Sequence, residues 1–97
     1  MSNKPSVLIL LHNNSTEANK IAAQVSAQLT KAGVEICAPE SDQTLIQSQG
    51  FKIEQYDPKK DKPNLALVFG GDGTILRAVE VTRANNIPVL GINLGHV

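Results

Sequence analysis

Two kinds of apolar run alternate along this chain. SVLILL (6–11) is continuous, bounded by Pro5 and by His12, Asn13 and Asn14. Such a run predicts a strand buried on both faces. In STEANKIAAQVSAQLTKAG (15–33), Ala18, Ile21, Ala22, Val25, Leu29 and Ala32 instead recur at helical spacing, with Gln, Lys and Ser between them. Asn14 or Ser15 is placed to cap that helix, and Gly33 to close it in a left-handed turn. VEICA (34–38) predicts a second strand, and strand, helix and strand in this order predict a right-handed βαβ unit.

Residues 39–64 lose the pattern. They are polar and hold three of the five prolines. Only FKIEQY (51–56) alternates, as a short edge strand would. DPKKDKPN (57–64) predicts a solvated loop, in which the Lys59–Lys60 pair reads as a charged surface. Pattern returns with NLALVFG (64–70), a buried strand. TILRAVEVTRANN (74–86) follows as a helix with Ile75, Val79 and Thr82 on one face, widened by Leu76 and Ala78. Asn85, Asn86 and Pro88 stop it. IPVLGIN (87–93) is the last strand. The fold class is therefore α/β: a Rossmann-like, open, mostly parallel sheet of four or five strands with flanking helices. In such sheets ligands bind at the carboxyl ends of the strands. Those ends carry His12–Asn14, Pro39–Ser41, Gly70–Thr74 and Asn93–His96.

Composition narrows the classes. The 97 residues suffice for one small domain. Nine basic and nine acidic residues give zero formal net charge, against the basic excess of a duplex nucleic-acid binder. Aromatics are only 3%, so the core must rest on Val, Ile, Leu and Ala. The one cysteine, Cys37, falls in an apolar strand and reads as inert core; no Cys/His spacing suits zinc. No apolar run reaches the ~20 residues of a membrane span. The first run lacks a small-residue cleavage site, so a cytoplasmic protein is expected.

The chemistry is concentrated in VFGGDGTILRAVEV (68–81), which contains three of the seven glycines around Asp72. A strand, a glycine turn and a helix N-terminus form an anion site, because unpaired N–H groups and the helix dipole face the ligand. The P-loop pattern is excluded, since no Gly-Lys pair occurs in the chain. The dinucleotide pattern G-x-G-x-x-G would start at Gly71, but its third glycine position is Leu76. A carboxylate amid such glycines has two uses: to hold Mg²⁺ beside phosphates, or to orient a hydroxyl and accept its proton as that oxygen attacks phosphorus. Both belong to phosphoryl transfer. The helix N-terminus favours ionised Asp72.

GGDGT resembles the signature shared by NAD kinases and diacylglycerol-type lipid kinases, and is close to the GGDGS of phosphofructokinases. Lipid kinases tend to continue with an Asn-Glu-Val run, whereas Ile75-Leu76-Arg77-Ala78 follows here. GGDGTILRA with IPVLGINLGHV resembles the bacterial NAD kinases over the whole chain, most specifically over 65–97. The resemblance implies the N-terminal domain of the NAD kinase/diacylglycerol kinase-like fold and transfer of the terminal phosphoryl of ATP, with Mg²⁺ or another divalent cation, to the adenosine ribose 2′-hydroxyl of NAD, giving NADP. It implies that Asp72 is the base. It places Gly70, Gly71, Asp72, Gly73, Thr74, Arg77 and Asn93 against nucleotide, with no metal ligand from this chain. It further implies a homo-oligomer when full length. The β-rich second domain of that family, which carries an Asn-Glu/Asp motif, has no counterpart in these residues. An inactive fragment is expected, with residues 93–97 mobile. The readings set against it are a lipid kinase domain and a non-catalytic nucleotide-binding module. His12 and His96, at strand ends, are weaker candidates for ligand contact.

Overall fold

In the computed structural model, which describes residues 5–11, 16–39, 53–70 and 72–93, a five-stranded sheet runs in the order β3-β2-β1-β4-β5. The strands are β1 (Ser6–Leu11), β2 (Glu35–Ala38), β3 (Glu54–Gln55), β4 (Leu65–Gly70) and β5 (Val89–Asn93). Every neighbouring pair is parallel. The helices are α1 (Thr16–Lys31) and α2 (Asp72–Thr82), the latter continued by a 3₁₀ turn at Arg83–Asn85.

β1 is central, and both its faces are covered. Val7, Ile9 and Leu11 join Leu67 and Phe69 of β4 against Ala22 and Ala23 of α1. Leu8 and Leu10 join Ala66 and Val68 against Ala78 of α2 and Tyr56. This two-sided burial explains why β1 and β4 are continuous apolar runs. At their amino ends the two strands are pinned by Asn64: its N–H donates to the Ser6 carbonyl at 2.8 Å, and its Oδ1 accepts from the Ser6 N–H at 2.9 Å.

α1 ends as its sequence predicts. Gly33 has φ +89°, the Gly33 N–H donates to the Thr30 carbonyl, and the Val34 N–H donates to the Leu29 carbonyl. This is a Schellman closure, with Leu29 and Val34 packed beneath it. Ala32, expected on the buried face, is exposed; Ala23 and Ser26 are buried instead. The Ala18 side chain, the proposed caps Asn14 and Ser15, and residues 51–52 of the expected edge strand lie outside the described residues. The part of that strand that is described, Glu54–Gln55, does pair at the sheet edge.

The face of α2 needs correction. Thr74, Ala78 and Thr82 are buried, Ile75 and Val81 are half-buried, and Leu76 and Val79 are exposed at 69% and 44%. Small side chains at i, i+4 and i+8 let the helix lie close to the sheet. The Thr82 hydroxyl is satisfied by donating to the Ala78 carbonyl at 2.9 Å. Asn86 then leaves the helix in the left-handed region, φ 53° and ψ 40°.

Between β3 and β4 the crossover is a short segment rather than a helix. Tyr56 turns into the core, and Asp57 organises the turn: its Oδ1 accepts from the Lys59 N–H, and its own N–H donates to Asp61 Oδ2 at 2.7 Å. Asn85 latches this segment to the end of α2, donating to Tyr56 Oη at 3.1 Å and to the Pro58 carbonyl at 3.0 Å.

Candidate functional site

The order of the strands defines a crevice. α1 returns from β1 to β2 on one face of the sheet, and α2 returns from β4 to β5 on the other. Strand order therefore reverses between β1 and β4, and connections diverge from their carboxyl ends. Leu11, the last residue of β1, pairs with Phe69 of β4; Gly70 pairs with Asn93 of β5. Gly70, Asn93 and the start of α2 thus share one rim of the sheet with the end of β1.

The glycine motif sits at this rim with almost no loop. β4 ends at Gly70 and α2 begins at Asp72, so one residue separates strand from helix. Gly70 is buried with φ 156°, a value L side chains rarely adopt, and this sharp exit is a reason for glycine there. Asp72, Gly73 and Thr74 form the first turn of α2, where the motif was expected to be a turn ahead of a helix beginning at Thr74. The first N–H groups of α2 have no partner within the helix and carry its positive dipole end. An anion is therefore favoured at this rim.

The expected site residues divide into groups. Gly70, Asp72, Gly73, Thr74 and Asn93 lie by backbone at the carboxyl ends of β4 and β5 and the start of α2. Thr74 is 6% exposed and packs inward. Gly71, His12, His96 and the side chains of Asp72 and Asn93 lie outside the described residues. Arg77 is half-buried, and its Nη1 donates to the Leu11 carbonyl at 3.3 Å. Helical side chains lean toward the N-terminus, which brings this guanidinium back to the crevice. No local signal announces that bond, because its partners are 66 residues apart.

The opposite rim has different chemistry. Ser6, Glu35, Cys37, Glu54, Asp61 and Lys62 line a cavity of about 190 Å³ near the amino ends of the strands. Burial, reinforced by the charges of Asp61, Glu35 and Glu54, pushes the Cys37 thiol up to about 12. Its Sγ lies 3.6 Å from the Val7 carbonyl. It is a neutral core group, as expected from the sequence. Among the described residues no group of three His, Cys, Asp or Glu side chains could hold a metal ion, and no helix is long and apolar enough to cross a membrane.

Comparison with known proteins adds four findings. The sequence profile of the ATP-NAD kinase N-terminal domain matches residues 7–97. The chain is 39% identical over 97 residues to an NAD kinase of Thermobifida fusca, covering 94% of this chain and 30% of that protein. It is 38% identical over 109 residues to an NAD kinase of Mycobacterium tuberculosis, covering 95% and 34%. It thus spans about a third of the length of these relatives. Its fold is also that of yeast NADH kinase, solved in complex with NADH, with a TM-score of 0.77 over 99% of this chain and 33% of that one at 22% identity.

Proposed function

Because the chain belongs to the ATP-NAD kinase N-terminal domain family, matched over residues 7–97, we propose that it forms the phosphoryl-transfer wall of an NAD kinase. The observation that carries this reading is the joint of β4 and α2, which puts Asp72 at the first residue of a helix on the rim where strand order reverses. The reaction joins the adenosine ribose 2′-oxygen of NAD to the terminal phosphorus of ATP and breaks that phosphorus–oxygen bond to ADP. Asp72 holds the 2′-hydroxyl and accepts its proton as the new bond forms. The N–H groups of the first turn of α2 face the negative charge of the nucleotide, and Gly70 and Gly73 leave room for it. Gly71, Thr74 and Asn93 border the same pocket, and Arg77 supplies positive charge from one turn along the helix.

A divalent cation fits this picture as a passenger of ATP. It would neutralise charge on the phosphate oxygens. The reading extends to a cytoplasmic homo-oligomer without nucleic-acid partners. It also includes a further domain that completes the dinucleotide site; these 97 residues alone would then form no NADP, because phosphoryl transfer depends on positioning by both walls.

The test is ATP-dependent NADP formation by the full-length protein of the native gene, with and without Asp72→Asn. The substitution keeps size and hydrogen bonding but removes the charge. It should lower kcat by ~10²–10⁴-fold while NAD binding changes only a few fold. Phosphorylation of diacylglycerol instead of NAD would favour a lipid kinase, and nucleotide binding without turnover would favour a binding module. Recovery of the variant at raised Mg²⁺ would move Asp72 from base to metal ligand.

A further inference from the structure

We propose that Arg77 is a positioning residue: by binding the carbonyl at the end of β1, its guanidinium fixes the first turn of α2 across the crevice. The proposal rests on the kinase reading for its kinetic consequence, but its geometric content does not depend on it.

Three observations lead there. First, α2 is joined to the sheet at its start only through Gly70 and one further residue, and glycine is the least restrictive tether available. Covalent geometry alone leaves the first turn free to tilt. Second, the buried contacts of α2 lie along Thr74, Ala78 and Thr82, facing β4 and the β1 side chains Leu8 and Leu10. These small side chains set the height of the helix above the sheet, with Ile75 and Val81 packed beside them. Third, Arg77 of α2 reaches beyond β4, the strand that leads into its helix, to the Leu11 carbonyl of β1 at 3.3 Å. That bond spans the gap where strand order reverses. It therefore ties together the two walls between which a ligand would lie.

The bond is suited to the task. Leu11 is the last residue of β1, so its carbonyl lies at the carboxyl end of the strand, on the rim that carries the start of α2. A guanidinium has five donors in a rigid fork, so the bond to this carbonyl fixes its orientation at the end of β1. Arg77 then acts on the reaction through the orientation of the Asp72–Thr74 turn, in addition to any charge it presents to nucleotide.

Two measurements on the full-length protein test this. In the first, backbone amide NMR shifts are recorded without nucleotide. Arg77→Ala should move the amides of Asp72, Gly73 and Thr74, while those of Val7–Ile9 in the middle of β1 stay in place. Unmoved amides at 72–74 would overturn the proposal whether or not the protein is a kinase. In the second, steady-state kinetics are measured below the melting temperature of each variant. Arg77→Ala should lower kcat by roughly 10–100-fold, the range of a lost charge-assisted hydrogen bond, whatever rise in KM the lost charge brings. Arg77→Lys, which can still donate to the Leu11 carbonyl, should recover most of kcat. A raised KM with unchanged kcat would mean that Arg77 serves only to bind nucleotide. A lowered melting temperature with unchanged kcat and KM would mean that the bond only holds the fold. Should the alanine variant fail to fold, the lysine variant alone decides: it must keep the wild-type amide positions at 72–74 and most of kcat. A wild-type protein that forms no NADP would count against the kinase reading, and the NMR result would stand by itself.

Discussion

Replacing Gly91 tests how closely α2 is seated. Gly91 pairs with Val68 of β4 on the face that α2 covers. A Cβ placed there would stand 3.0 Å from Ile75 Cδ1 and 3.3 Å from Ile75 Cγ1. Carbon atoms prefer ~3.5–4.0 Å, so even a methyl must displace the Ile75 side chain by roughly 0.5 Å. In Gly91→Ala that strain is offset by the ~0.5–1 kcal/mol gained from a less flexible unfolded chain, and the net change should be small. Gly91→Val adds two more methyls beneath the helix, and overpacking of this kind costs ~1–3 kcal/mol. The variant should be destabilised by about 1–2 kcal/mol, or ~4–16 °C in Tm for a domain of this size. Ile75 is half-buried, so Ile75→Ala alone should cost ~1–2 kcal/mol, below the range for full core truncations. In the double variant the valine occupies the vacated space, and the combined loss should fall short of the sum by about 1 kcal/mol or more. Urea denaturation followed by tyrosine fluorescence is the assay. Tyr56 is the single tyrosine in a chain without tryptophan, and it is buried beside α2. Additivity within ~0.5 kcal/mol would refute the claim that Ile75 is what the new side chain meets.

Further outcomes follow from the latch and the buried thiol. Asn85→Ala removes both bonds that tie the 56–58 segment to α2; it should cost ~1–2 kcal/mol in thermal unfolding, and Tyr56→Phe, which breaks only one, should cost less. Cys37 has its folded pKa raised from 9.0 to about 12. The unfolded chain therefore loses this proton first, and stability should fall between pH 9 and 12, a decline that Cys37→Ala should lessen in alkaline titration. The thiol should also resist alkylation at pH 8 until the chain unfolds.

Burial on both faces made β1 and β4 legible, because it forces an unbroken apolar run whatever the neighbours are. Gly33 was legible because one backbone conformation at one position closes α1. The inward face of α2 was legible only in part. The pattern placed Ala78 and Thr82 inward, and both are buried, but it also placed Val79 and Leu76 there, whereas close approach to the sheet selects small side chains such as Thr74, which does not announce itself as core. β3 is only Glu54–Gln55, both exposed, and main-chain pairing with β2 defines it rather than any side-chain pattern. Of the site, Gly70, Asp72 and Gly73 were readable as a local motif. The contact between Arg77 and Leu11 was not, since nothing in either segment refers to the other.

The pairing of β1 with β4 has a kinetic consequence. Val7 meets Leu65 and Leu11 meets Phe69, so the central ladder closes a loop of 58 residues. β1, α1 and β2 can associate soon after they are made, and so can β4, α2 and β5, but each half buries only part of its apolar surface. Non-local parallel pairings of this sort are slow to form. The crevice lies on the seam between the two halves, so it comes into existence only with the last docking event. A chain that has collapsed but not joined its halves would show most of its helix and strand and none of the crevice.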